Sequence, residues 1–259
     1  MAATQIPWGQ MNEIIVFALV GVLVGFSKGG LGGPVPVALT VPMLSLLIDP
    51  QVAVVLVLPL LIFADGFALY FYWKQWDRHY IGLMLIPGLL GVVLGAFVLK
   101  DIDALTLKRI IGGLTLLALI FKIASDRLAA MSYRPRTWHG YFAGLASGFG
   151  STLANVGAPP FTAYLLLQPQ MTPRRFIGTT TLFFAVMNLT KLPGFMLLGL
   201  FDLERLLSIA WVFALIPPAV MVARYLIDRI NQQAFEWLMM IPLFVLSLYL
   251  LLNNCAANC

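Results

Sequence analysis

The stretch Gly25–Pro36, GFSKGGLGGPVP, interrupts an apolar run that extends from Ile14 to Ile48. Five glycines and two prolines within twelve residues are expected to end a helix, because glycine loses the most backbone entropy and proline lacks the amide hydrogen. A lysine, Lys28, sits among them. In a bilayer such a break is tolerated only where the freed backbone groups face protein or a water-filled cavity, since lipid offers them no hydrogen-bond partner. The stretch reads as a binding site built on an interrupted membrane helix.

The composition supports the membrane setting. Of 259 residues 61% are hydrophobic and 10% charged, and the mean hydropathy is +0.93. Soluble domains of this length do not reach such values. Apolar segments long enough to cross about 30 Å of hydrocarbon recur from end to end, which predicts one integral membrane domain over 1–259. Met1 to Glu13 carries no basic residue and is not read as a cleaved signal peptide. The formal charge of +5 resides mostly in short loops, a signature of membrane orientation and not of nucleic-acid binding. Cys255 and Cys259 read as an inert tail.

A shift of 123 residues superposes Gly21 on Gly144, Gly25 on Gly148, Phe26 on Phe149, Pro36 on Pro159 and Pro50 on Pro173. The chain is therefore a duplication, with repeats at about 14–125 and 137–252. The second break, Gly148–Pro160 (GFGSTLANVGAPP), lacks the lysine. Each half divides into five segments. In the first they are Ile14–Phe26, Val35–Ile48, Val52–Trp73, Tyr80–Leu99 and Leu105–Ile123. In the second they are Trp138–Phe149, Pro160–Leu167, Phe176–Leu200, Leu206–Ala223 and Ala234–Leu252. The first two of each set are short, as expected of half-helices or a re-entrant hairpin, and three spanning helices follow.

Charge bias favours inverted over parallel repeats. With inversion, Lys74, Arg78, Lys122, Arg127, Arg134, Arg136, Arg174, Arg175, Arg224 and Arg229 share one side, against Lys100, Lys108, Arg109 and Arg205. The parallel arrangement gives no bias. The richer side is expected to be cytoplasmic and both termini periplasmic. Gly21/Gly25, Gly91/Gly95 and Gly140/Gly144/Gly148 have the small-xxx-small spacing of close helix packing.

Three charged residues fall inside apolar segments: Lys28, Asp65 and Lys191. Each costs on the order of 2.5–3.5 kcal/mol at a helix centre on insertion scales. A Lys28–Asp65 ion pair could serve stability alone. Two lysines against one aspartate instead leave a formal +1, which suits an anion, with helix N-termini adding partial positive charge. Asn188 and Lys191 share a helix face, and Asp65 is the repeat mate of Asn188. Ser151, Thr152, Asn155 and Thr179–Thr181 offer neutral donors, although the threonines can equally bond back into their helix. Asp65 either pairs with a lysine in the empty site or takes up a proton during transport.

Gly25–Gly29, GFSKG, formally matches the hydrolase pattern G-x-S-x-G, but that motif needs a strand-to-helix elbow and a partnered histidine. The only histidines, His79 and His139, lie at segment ends. No metal cluster, phosphate loop or dinucleotide fingerprint is present, so no cofactor is expected.

The repeat, FSKGGLGG, the run PVALTVPML (Pro36–Leu44), RRFIGTTTLFFAVMNLTKLPG and the Trp76-Asp77 pair together resemble the TauE/SafE family of sulfite exporters over nearly the whole chain. The resemblance implies a secondary transporter of small sulfur-containing anions (sulfite, sulfoacetate, thiosulfate) or related organic acids in the bacterial inner membrane, in a family with both exporters and importers. The family's glycine-rich motif falls on Ser27, Lys28, Gly29, Gly30, Gly32 and Gly33, and its G-T-[ST] motif on Gly178, Thr179 and Thr180. The expectation is an all-helical, non-enzymatic anion transporter working by alternating access. The rivals are a passive anion channel and an intramembrane hydrolase using Ser27.

Overall fold

A computed structural model describes residues 11–130, 135–168, 170–227 and 229–253; Arg134, the two cysteines and the extreme N-terminus lie outside them. All described elements are helical. In order they are α1 (Met11–Gly29), α2 (Val35–Leu44), α3 (Pro50–Phe71), α4 (Arg78–Asp101) and α5 (Ala104–Ala130), then α6 (Thr137–Ala154), α7 (Ala158–Leu166), α8 (Pro173–Leu197), α9 (Leu203–Ser208), a 3-10 turn (Ala210–Leu215), α10 (Ile216–Leu226) and α11 (Gln232–Leu252). Six of these, α1, α3, α4, α5, α8 and α11, contain stretches long and apolar enough to cross a membrane. The chain is a multi-pass membrane protein. Loop carboxylates start several helices: Asp49 accepts the Gln51 N–H at 2.9 Å and Asp77 that of His79 at 2.9 Å.

The two halves repeat element by element, except that the mate of α4 is split into α9, the 3-10 turn and α10. The predicted single segment Leu206–Ala223 is thus corrected. Pro217 and Pro218 cannot donate to a preceding turn, so they occupy the start of α10 instead.

The breaks are shorter than their glycine content predicts. Helix α1 continues through Gly25 and Lys28 to Gly29, and α6 through Gly148 to Ala154. Tertiary packing overrides propensity here: Cβ atoms on Gly21, Gly25 and Gly29 would run into Val212, Ala219 and Ala223, so these glycines let the 3-10 turn and α10 approach closely. Real interruption is confined to 30–34, where Gly30, Gly32 and Gly33 have φ of 97°, 71° and 56°, and to 155–157, opened by Asn155 at φ 55°. Lys28 therefore stands in the last turn of a helix. At 19 residues, about 28 Å, α1 is also longer than the expected half-helix.

The short helices turn back. Gly140 near the start of α6 lies under Tyr164 near the end of α7, while Gly157 meets Ser147. On the other side Val16, Leu19 and Leu23 of α1 share an apolar groove with Leu39 and Met43 of α2. Both pairs are helical hairpins.

Packing between the halves is reciprocal. Helix α4 lies along α6 through Gly88, Gly91 and Gly95, against Gly144, Gly148 and Thr152, and its mate α10 lies along α1. Repeat mates also pack on each other, and they run antiparallel. Asp65 of α3 meets Asn188 of α8, while Gln75 just beyond α3 meets Gly178 near the start of α8. For α5 and α11, Gly112 meets Ser247 while Lys122 meets Glu236.

Candidate functional site

The two interruptions face one cavity of about 430 Å³. At one pole it is lined by Ser27, Lys28, Gly33, Ser151, Asn155 and Asn188. Each side chain is delivered by a different consequence of the fold. Lys28 and Ser27 come from the last turn of α1, Ser151 and Asn155 from the end of α6, and Asn188 from α8 where it crosses α3.

A buried relay of polar contacts backs this pole. Lys28 Nζ lies 2.5 Å from Asp65 Oδ1, and Asn188 Nδ2 donates to Asp65 Oδ2 at 2.8 Å. Lys191 Nζ donates to Asn188 Oδ1 at 3.1 Å, to the Ser151 carbonyl at 2.9 Å and to Ser151 Oγ at 2.7 Å. An ammonium has three hydrogens, so Lys191 is fully committed. It is 1% exposed and does not line the cavity. Lys28, by contrast, has one carboxylate partner and reaches the cavity wall. The formal sum over Lys28, Asp65 and Lys191 is +1. The cavity's further carboxylate, Glu236, is paired with Lys122 at 3.1 Å.

Among the described residues, two buried side-chain atoms on residues of the wall lack partners: Asn155 Nδ2, on a residue 7% exposed, and Thr180 Oγ1. A buried donor left unmade costs about 1–3 kcal/mol. Thr181 lines the same wall.

Other predicted residues are engaged elsewhere. Gly29 packs on α10, and Gly32 lies against the Phe235 ring and Pro36. Thr152 Oγ1 donates to the Gly148 carbonyl at 2.8 Å, the back-bonded alternative. Thr179 Oγ1 accepts the Asp77 N–H at 2.9 Å and so pins the 72–77 connection to α8. Ser27 Oγ donates to the Gly33 carbonyl at 2.6 Å, which closes the first interruption on itself. Its hydroxyl hydrogen is thereby spent on backbone, and both histidines lie at helix starts, His79 in α4 and His139 in α6.

The sequence reading missed Glu236, Phe176 and Phe184 on the cavity wall. Glu236 follows the first turn of α11. Its role in the wall depends on α11 reaching the first interruption, where Phe235 stacks edge-on with Phe26 at 6.2 Å.

The lining also includes Leu166, Met171, Phe176 and Ile227. In the chain these adjoin Arg174 and Arg175 in the first turn of α8 and Arg229 in the connection after α10.

Comparison with known proteins agrees with this architecture. The chain is 26% identical over 265 residues to the probable membrane transporter protein YtnM of Bacillus subtilis (strain 168), covering 96% of this chain and 86% of that protein. No solved structure matches it. The family model "Sulfite exporter TauE/SafE" matches residues 17–250. A match that takes in both hairpins, both interruptions and all of the polar relay places this chain in the sulfite exporter TauE/SafE family.

Proposed function

We propose that the protein is a secondary transporter of a small sulfur-containing anion, a sulfur oxyanion or organosulfonate, working by alternating access in the bacterial inner membrane. The observation that carries this reading is the cavity between two helix interruptions. It has a lysine on its wall, a formal +1 behind it and two wall residues with unpartnered polar atoms. The anion would be held by Lys28, with Asn155, Thr180 and the Gly33 region around it, while Lys191 positions Asn188 and Ser151. Ser27 serves the fold of the interruption, not hydrolysis.

Inverted repeats are supported by the antiparallel packing of repeat mates α3 with α8 and α5 with α11. Rocking one half against the other about these contacts would expose the site alternately. The basic residues near the cavity in the chain, Arg174, Arg175 and Arg229, then lie on the cytoplasmic side, and both termini are periplasmic. A C-terminal reporter that scores cytoplasmic would overturn that orientation.

Asp65 has a role in coupling. When an anion draws Lys28 away, the carboxylate is left in a site 2% exposed with Asn188 as its remaining partner, and taking up a proton relieves it. The reading is tested by ligand-induced stabilisation of the purified protein against sulfite, thiosulfate and sulfoacetate. A ligand at a hundred times its Kd adds about 2.7 kcal/mol. The shift should vanish in Lys28→Gln. Equal shifts in wild type and Lys28→Gln would refute the site.

A further inference from the structure

The cavity departs from the internal repeat of the chain. At its polar pole, repeat mates line the wall together: Lys28 with Ser151, and Leu61 with Phe184. Away from the pole it follows α7 and α8 along Ala158, Thr162, Phe176, Ile177, Thr180 and Thr181. The mates of these six in the first half are Val35, Leu39, Ala53, Val54, Val57 and Leu58. None of the mates lines the cavity; all are 0–5% exposed and belong to the main core. The same part of the fold is open in one repeat and packed solid in the other.

Helices α3 and α8 run antiparallel through the Asp65–Asn188 contact, so their starts lie at opposite ends of the bundle. The packed block of α2 and α3 therefore stands between the polar pole and the end remote from the α7–α8 wall. Its six side chains carry no polar atom, whereas three of their mates are threonines. Apolar surface gains by staying packed, while a hydroxyl can bond water. The sequence thus sets a resting preference, with the wall open and the block closed. No side-chain hydrogen bond or ion pair holds the block, and packed interfaces of this kind switch between discrete arrangements. We infer that the α2–α3 block is the closed gate of a second route to the same polar pole, opened in the alternate conformation as α7 closes on α8. This names the second access path of the alternating-access reading and rests on that reading.

The test is labelling of the full chain by a charged, membrane-impermeant maleimide in right-side-out and inverted membrane vesicles. Cys255 and Cys259 are replaced by serine, and single cysteines are placed at Ile177 or at its mate Val54. Ile177→Cys should be labelled from one face of the membrane. Val54→Cys should be labelled from the opposite face only, and about ten- to a thousandfold more slowly, as for a minor conformation populated at about 0.1–10%. Leu58→Thr makes the block resemble the wall, and Thr181→Leu makes the wall resemble the block. Each should speed labelling severalfold at Val54→Cys and slow it at Ile177→Cys. Acceleration at Val54→Cys by Leu58→Thr alone is local loosening and overturns the gate. So does a Val54→Cys that stays unlabelled in every background or reacts from the same face as Ile177→Cys; both results spare the anion site, which is read separately by the Lys28-dependent ligand shift. Labelling of both positions from opposite faces at matched rates, unmoved by either exchange, overturns alternating access itself in favour of a continuous pore. Ile177→Cys inert from both faces overturns the water-filled cavity and both readings with it.

Discussion

Replacing Asp65 by asparagine separates a charge-holding role for the Lys28–Asp65 pair from incidental proximity. In the native protein Asp65 Oδ1 lies 2.5 Å from Lys28 Nζ, its Oδ2 accepts from Asn188 at 2.8 Å, and the residue is 2% exposed. An asparagine can keep its carbonyl oxygen toward Asn188 only by turning its NH2 group toward the ammonium. Lys28 then loses its counterion and meets a donor. Removing one partner of a buried ion pair costs about 3–5 kcal/mol. The lower end applies here, because the Lys28 side chain is 13% exposed and borders the cavity. The double variant Lys28→Gln/Asp65→Asn leaves a neutral amide pair in the same space and should recover much of the loss, a coupling of about 1–3 kcal/mol. The assay is thermal unfolding of the four proteins in one detergent, in buffer with a large, poorly coordinating anion and again with sulfite. Asp65→Asn should be the least stable in the first buffer and should gain most from sulfite, which replaces the missing carboxylate at Lys28. Additive single effects, or an Asp65→Asn protein as stable as wild type, would refute the reasoning.

Other consequences are as direct. Gly148→Ala drives a methyl group into the Gly88 carbonyl and should lower stability by about 1–3 kcal/mol despite the better helix propensity of alanine, whereas Gly66→Ala, with nothing within 4 Å, should raise it by about 0.5–1 kcal/mol; thermal midpoints check both. Lys191→Gln removes the ammonium that bonds Ser151 and Asn188, and should weaken anion binding through misplaced neighbours while shifting the unfolding midpoint downward, both read in one ligand titration. Asp103 accepts the Thr106 N–H at 2.8 Å, and this bond together with the Thr106 hydroxyl holds its carboxyl below the usual 3.8. A depressed folded-state value contributes stability above the unfolded value and loses it as pH falls through the folded one. Unfolding midpoints followed from neutral pH down through the carboxylate range should therefore drop less steeply in Asp103→Asn than in wild type.

How far the sequence could be read depended on whether a feature was local. The duplication, the helical class and the three intramembrane charges were legible because apolar runs and a fixed shift need no knowledge of neighbours. The extent of the breaks was not. Gly25, Gly29 and Gly148 look like helix breakers in isolation, but each sits where another helix comes close enough to leave no room for a side chain. Lys191 and Lys28 looked equivalent by charge. The difference between a saturated ammonium and one on a cavity wall lies in what α6 and α3 bring to them. Glu236, Phe176 and Phe184 were invisible, because they join the site through the meeting of α11 with the first interruption and of α7 with α8.

The contact between Asp65 and Asn188 has a bearing on how such a chain can arise. Residues 65 and 188 are repeat mates that touch each other. In an assembly of two identical half-length chains, that place must hold the same residue twice. Two aspartates would set like charges together, and two asparagines would leave Lys28 and its copy without a counterion. Once the halves differ in sequence, one can carry the acid and the other the amide. Divergence of the halves is thus what permits a single asymmetric centre, with one carboxylate per polypeptide in place of two competing copies.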